Sequence, residues 1–187
     1  AGNTEVLYGT FQGINQSRSY WTGRGTNMGG FAATEPTQNH VEKYQNTDGT
    51  SVNWNTTITT PVNDPTFPYK RLDPRFHFSV AYNGCLWVTT TPTYNLEIYD
   101  GVDATVPHGR NGPTSARTQF AYFARKWLNG LETTGVWTPM SPYMRLAEMY
   151  LILAEASNEA NGPSAEVFAA LDVIRTRSGM PIVSKSL

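Results

Sequence analysis

The stretch "SPYMRLAEMYLILAEASNEANGPSAEVFAALDVIRTRSGMP", Ser141 to Pro181, constrains the fold more than any other part of the chain. Ser141 is a good N-cap, and Pro142 stands at a first helical position, where its missing N–H costs nothing. Leu146, Met149, Tyr150, Leu151, Leu153 and Ala154 then recur at helical spacing. Arg145, Glu148, Glu155 and Glu159 supply the polar side, with Ile152 as an exception among them. Asn161-Gly162 reads as a C-terminal stop, with Pro163 just beyond it. Ser164 caps a second helix, Glu166 suits its positive end, and Val167, Phe168, Leu171 and Ile174 form its apolar stripe. Arg175 and Arg177 suit the negative end, Gly179 is the exit, and Pro181 forbids continuation. These signals predict a helical hairpin over about 142–160 and 165–178.

The unit is close in length to the roughly 34-residue period of tetratricopeptide repeats. A pair of that kind cannot bury its apolar face alone and ordinarily stacks on neighbours. The chain carries no second copy and stops soon after Gly179. The expectation is therefore one incomplete domain of a longer protein. It would comprise a loop-rich region at 1–140, with short strands, and the tetratricopeptide-like hairpin and tail at 141–187. The fold class is mainly α, with an irregular α+β portion.

Within the loop-rich region, Phe76, Phe78, Val80 and Tyr82 alternate with His77, Ser79 and Ala81, and Asn83-Gly84 follows. Alternation broken by Asn-Gly predicts a short β-hairpin, at about 76–82 and 85–91, through a type I′ turn. Further strands are expected at Val6 to Phe11 and Gln119 to Trp127, and a short helix over Pro36 to Tyr44. Between them lie long segments rich in Thr, Asn, Gly and Pro at 12–35, 46–68 and 92–118. Loops of that length are uncommon in compact domains and often functional.

Charged residues make up 16% of the chain and the net charge is −1, which leaves no basic surplus to neutralise phosphates. Nucleic acid is thus not an expected partner. Cys85 alone excludes an internal disulfide framework and a multi-Cys metal site, and it reads as a small packed residue. His40, His77 and His108 stand far apart without a zinc-binding pattern. No P-loop or nucleophile elbow occurs, and Gly23-Arg24-Gly25 lacks the third glycine of a dinucleotide turn. Glu97, Asp100 and Asp103 are the best acidic cluster, and carboxylates in such a loop read as turn formers. No catalytic residue, metal ligand or cofactor is expected.

Binding remains. "GINQSRSYWTGRGTNMGG", Gly13 to Gly30, sets Tyr20 and Trp21 in a glycine-rich loop beside Arg24 and Asn27. An exposed aromatic face stacks on the C–H face of a sugar, while amide and guanidinium groups bond its hydroxyls. The competing reading has Trp21 plugging the loop onto a core. Trp54 and Trp87 are weaker candidates, and Trp137 reads as a packing residue.

"RLAEMYLILAEASNEANGPSAEVFAALDVIRTRSGMP" resembles the C-terminal helical signature of the SusD/RagB family of nutrient-binding outer-membrane lipoproteins of Bacteroidetes. "EVLYGTFQG", "PTQNHVEKY", "RLDPRFHFSVAYNGCLW" and "AYFARKW" occur in the order that family shows them. The resemblance implies a SusD-like fold and noncatalytic glycan binding, with delivery to a SusC-like TonB-dependent transporter at the outer face of the outer membrane. Membrane attachment would be through an N-terminal lipid anchor that this chain lacks. Family ligand contacts come largely from variable loops, which makes Tyr20, Trp21, Arg24 and Asn27 the expected ligand-binding residues. "DPRF", Asp73 to Phe76, reads as structural. Two other functions stay open: a module that docks the transporter, with the ligand site elsewhere, and a glycoside hydrolase using Glu97 with Asp100 or Asp103.

Overall fold

The computed structural model describes residues 4–11, 35–54, 67–87, 94–99, 122–126 and 140–183. Strand β1, Val6–Phe11, pairs antiparallel with β6, Met140–Arg145. Two shorter antiparallel pairs follow: β2, Val80–Tyr82, with β5, Tyr122–Ala124, and β3, Leu86–Trp87, with β4, Tyr94–Asn95. The helices are α1, Gln38–Val41; α2, Pro74–Ser79; α3, Leu146–Asn161; and α4, Ala165–Arg177. A 3-10 turn covers Pro68–Arg71.

The helical hairpin forms as expected, except at its start. Residues 140–145 are a strand, and Pro142 lies opposite Gly9 in the ribbon rather than in a first helical turn. The N–H of Leu146 donates to the Glu5 carbonyl at 2.8 Å, so the residue just before β1 satisfies a donor at the helix start that a capping side chain would otherwise take. Strand pairing overrides the Ser141-Pro142 start signal. At the other end Gly162, at φ 74°, makes the turn in a left-handed conformation that side chains avoid. The Ser164 hydroxyl accepts from the Val167 N–H at 3.4 Å, and α4 begins there. Ala154, Val167 and Ala170 are buried between the two helices, with Tyr150 and Leu171 packed against them.

The larger core lies elsewhere. Val41, Leu72, Phe76, Val80, Trp87, Leu96 and Phe123 are all fully buried in one cluster. Tyr69 packs at the edge of that cluster, its ring 4.6 Å from Tyr82 and 5.7 Å from Phe76. Its hydroxyl pairs with that of Tyr122 at 2.8 Å. Tyr122 in turn donates to Gln38 Oε1 at 2.7 Å, so the proton between the two phenols comes from Tyr69. Gln38 of the "PTQ" segment thereby fastens α1 to the aromatic core. Burial pushes the Tyr122 and Tyr69 phenols above the ordinary value and holds Tyr82 at about 12.

The expected β-hairpin at 76–82 and 85–91 is corrected. Asp73 and Pro74 form an N-cap and first position, and residues 74–79 are helical. Positions two apart on a helix face opposite ways, and so Phe76 is fully buried while Phe78 is 77% exposed. A strand would have placed both on one face. Asn83-Gly84 does turn the chain, with the Cys85 N–H on the Tyr82 carbonyl at 3.0 Å and Gly84 at φ 82°. The two arms then part: β2 takes β5, while Gly84 and Cys85 bond Leu96 and lead into β3 with β4. Residues 88–91 lie outside the described residues.

Candidate functional site

A pocket of about 280 Å³ opens where α1, α2 and the end of α4 meet. His40, on α1, and Lys43, Tyr44 and Gln45, just after it, form one wall. Thr37 starts that helix, accepting from the His40 N–H at 3.3 Å. The Tyr44 ring stands edge-on to both His40 and Phe76, which ties the wall to the core. Asp73 and Arg75 form the second wall. Asp73 is buried, caps α2 by accepting from the Arg75 N–H at 2.8 Å, and takes the Arg75 guanidinium on both carboxylate oxygens. That hydrogen-bonded carboxylate raises the Arg75 pKa further.

Arg175 closes the third side. Its Nε donates to the Pro181 carbonyl at 2.5 Å and its Nη1 to Gln45 Oε1 at 2.9 Å, while Nη2 is buried with no hydrogen-bond partner among the described residues. The Gln45 carbonyl accepts from the Asp73 N–H at 2.8 Å, so Gln45 joins all three walls. Among the described residues that line the pocket, Lys43, Arg75 and Arg175 share a single carboxylate, Asp73, which Arg75 already engages. The surplus is positive.

The residues singled out by sequence fall differently. Tyr20, Trp21, Arg24 and Asn27 lie outside the described residues, as do Trp137, His108, Asp100 and Asp103. Trp87 is fully buried beneath the guanidinium of Arg125, 5.8 Å from its ring centre, and so offers no stacking face. Trp54 is half-buried against Tyr69. Cys85 is buried as a packed residue, its sulfur accepting from the Tyr82 N–H at 3.4 Å. His77 is held below the ordinary imidazole value by burial first and by nearby Arg125 second. Among the described residues no group of three His, Cys, Asp or Glu could hold a metal, and no helix is long and apolar enough to cross a membrane.

Sequence reasoning missed the pocket. Its charged residues stand at 43, 73, 75 and 175, and Arg175 carried no signal beyond a good fit to a helix C-terminus. Only the Asp73-Pro74 cap signal could have placed α2, and with it one wall.

Comparison with known proteins agrees with this architecture. A SusD-like carbohydrate binding protein from Bacteroides fragilis superposes with a TM-score of 0.73 at 20% identity, over 97% of this chain and 35% of that one. A second SusD-like protein from the same species gives a TM-score of 0.67 at 19% identity, over 97% and 37%. The chain thus spans little more than a third of the length of either protein. None of the curated proteins matches it. At these identities the likeness shows the fold, which is SusD-like, with a helical hairpin and short two-stranded sheets. The sequence profile of the SusD family matches residues 4–186, and the chain belongs to the SusD/RagB family.

Proposed function

We propose that this chain contributes to noncatalytic capture of glycans at the cell surface and their delivery to a SusC-like TonB-dependent transporter. The observation that carries the reading is family membership along residues 4–186. The carbohydrate-binding relative from B. fragilis shares the fold over 97% of the chain, which supports it further. Tyr20, Trp21, Arg24 and Asn27 are the proposed ligand contacts: the two rings stack on a sugar face, and the guanidinium and amide bond its hydroxyls. The site of action is the outer face of the outer membrane, with a lipid anchor on the longer protein.

A second reading is favoured by one feature of α3. Leu151, Ile152 and Leu153 are 47%, 51% and 44% exposed on this helix. Leu151 and Leu153 face opposite ways, so apolar side chains meet water around this helix, as on an element left for another protein to pack against. On that reading the chain binds the transporter and the ligand contacts lie elsewhere in the longer protein. Affinity electrophoresis through gels holding plant, host and microbial polysaccharides tests the choice, with a reducing-sugar assay on the same mixtures. Capture predicts retardation by at least one polysaccharide without sugar release. Release of reducing ends would overturn the noncatalytic reading, and retardation by none would leave docking as the account of this chain.

A further inference from the structure

We propose that the pocket between α1, α2 and the end of α4 is a second binding site, taking the negatively charged group of an acidic sugar, a uronate carboxylate or a sulfate ester. The sugar part of this ligand rests on the glycan-capture reading; the charge rests on the pocket itself. Lys43, Arg75 and Arg175 line a space of about 280 Å³ together with a single carboxylate among the described residues, Asp73. Asp73 is spent on the α2 cap and on Arg75, which leaves the other two cations uncompensated within the pocket.

Arg175 is the centre of the argument. Two hydrogen bonds, to the Pro181 carbonyl and to Gln45, fix its guanidinium before any ligand arrives. Its remaining nitrogen, Nη2, is buried with no hydrogen-bond partner among the described residues. A buried donor left unmade is unfavourable, and the positive charge it shares with the rest of the guanidinium lining the pocket is what an anionic oxygen there would meet. A guanidinium already held in place loses little freedom when it bonds such an oxygen. Lys43 is exposed beside it and adds a mobile positive charge. The Tyr44 hydroxyl and the His40 ring, 3.5 Å apart, supply partners for sugar hydroxyls. The volume lies just below the roughly 300–1,000 Å³ usual for small-molecule sites, which suits one charged sugar unit rather than a long chain.

The test is calorimetric titration of the full chain with glucuronate, glucose 6-sulfate, glucose, inorganic sulfate and acetate, at low and at high sodium chloride. The expected result is binding of an acidic sugar at least tenfold tighter than glucose and than either simple anion. That binding falls at least fivefold in Lys43→Gln and also in high salt, where charge pairs near the surface are screened. Arg175→Gln is expected to abolish it. Because Arg175 also ties the end of α4 to Gln45, near-UV circular dichroism must first show that this variant is folded. Lys43 is exposed, and Lys43→Gln decides the matter if Arg175→Gln does not fold. Glucose and glucuronate bound alike, no acidic sugar bound by the folded chain, or binding unchanged in Lys43→Gln would each overturn the proposal. Inorganic sulfate binding as tightly as glucose 6-sulfate would overturn the sugar assignment. Polysaccharide retardation that persists while acidic sugars fail to bind would sink this inference alone. Glucuronate bound in the pocket with no polysaccharide retarded would sink the capture reading and leave the site standing.

Discussion

Asp73→Ala should destabilise the chain by about 2 kcal/mol, and Asp73→Asn by about half as much. The carboxylate does two things at once. It caps α2 through the Arg75 N–H, and loss of such a cap costs about 0.5–2 kcal/mol. It also pairs with the Arg75 guanidinium, whose side chain is 44% exposed while that of Asp73 is 3% exposed. An arginine that open to water recovers much of its hydration when the partner is removed, so the pair is discounted to about 0.2–1 kcal/mol. Alanine loses both contributions. Asparagine keeps an acceptor for the cap and loses the charge. The assay is thermal unfolding followed by near-UV circular dichroism, which reads Trp87 in the same buried cluster as Phe76 of α2. At about 2–4 °C per kcal/mol for a chain of this size, alanine should lower Tm by about 4–8 °C and asparagine by about 2–4 °C. Equal losses in the two variants would refute the cap as a contributor. No loss in either would refute the reading of "DPRF" as structural.

Tyr122→Phe removes the hydroxyl that accepts from Tyr69 and donates to Gln38, leaving both partners without their bond. Gln38 is exposed and Tyr69 half-buried, so water partly replaces the lost bonds; a loss of about 0.5–1.5 kcal/mol is expected in urea unfolding, and no loss would contradict the chain of hydrogen bonds. Glu5 is held below the ordinary carboxylate value, first by its hydrogen bond to Arg177; burial opposes this, and Arg145 adds a further, smaller lowering. The folded state therefore binds fewer protons than the unfolded one. The contribution is fully present above the unfolded value near 4.5 and is lost as pH falls through the lower folded value. Glu5→Gln should cost about 0.5–1 kcal/mol at pH 7, with the difference from the parent shrinking towards zero in acid; a difference that does not change between pH 7 and pH 3 would contradict the ion pairs.

The helical hairpin was legible because its interior boundaries are local chemistry. Gly162, Ser164 and Gly179 do in the structure what their residue types require. The entry to α3 was not legible, because residues 140–145 are claimed by β1, more than a hundred residues away in sequence. At Ser141-Pro142 a genuine helix-start signal lost to that pairing. At Asp73-Pro74 the same kind of signal competes with the alternation from Phe76 to Tyr82, and there the local signal wins. The alternation was itself misleading, since half of it lies on a helix and half on a strand whose residues are all buried. The pocket was illegible for a plainer reason. Arg175 and Lys43 come together only when α4 is laid beside the turn after α1, and no spacing along the chain records that contact.

The most direct test of the central claim is the affinity of the folded chain and of its Trp21→Ala variant for whichever polysaccharide retards the parent, measured by calorimetry. Glycan capture through the Tyr20–Trp21 loop predicts saturable binding that weakens at least tenfold, about 1.4 kcal/mol, when the indole is removed. Equal affinity in the two proteins would contradict the claim that this loop holds the ligand.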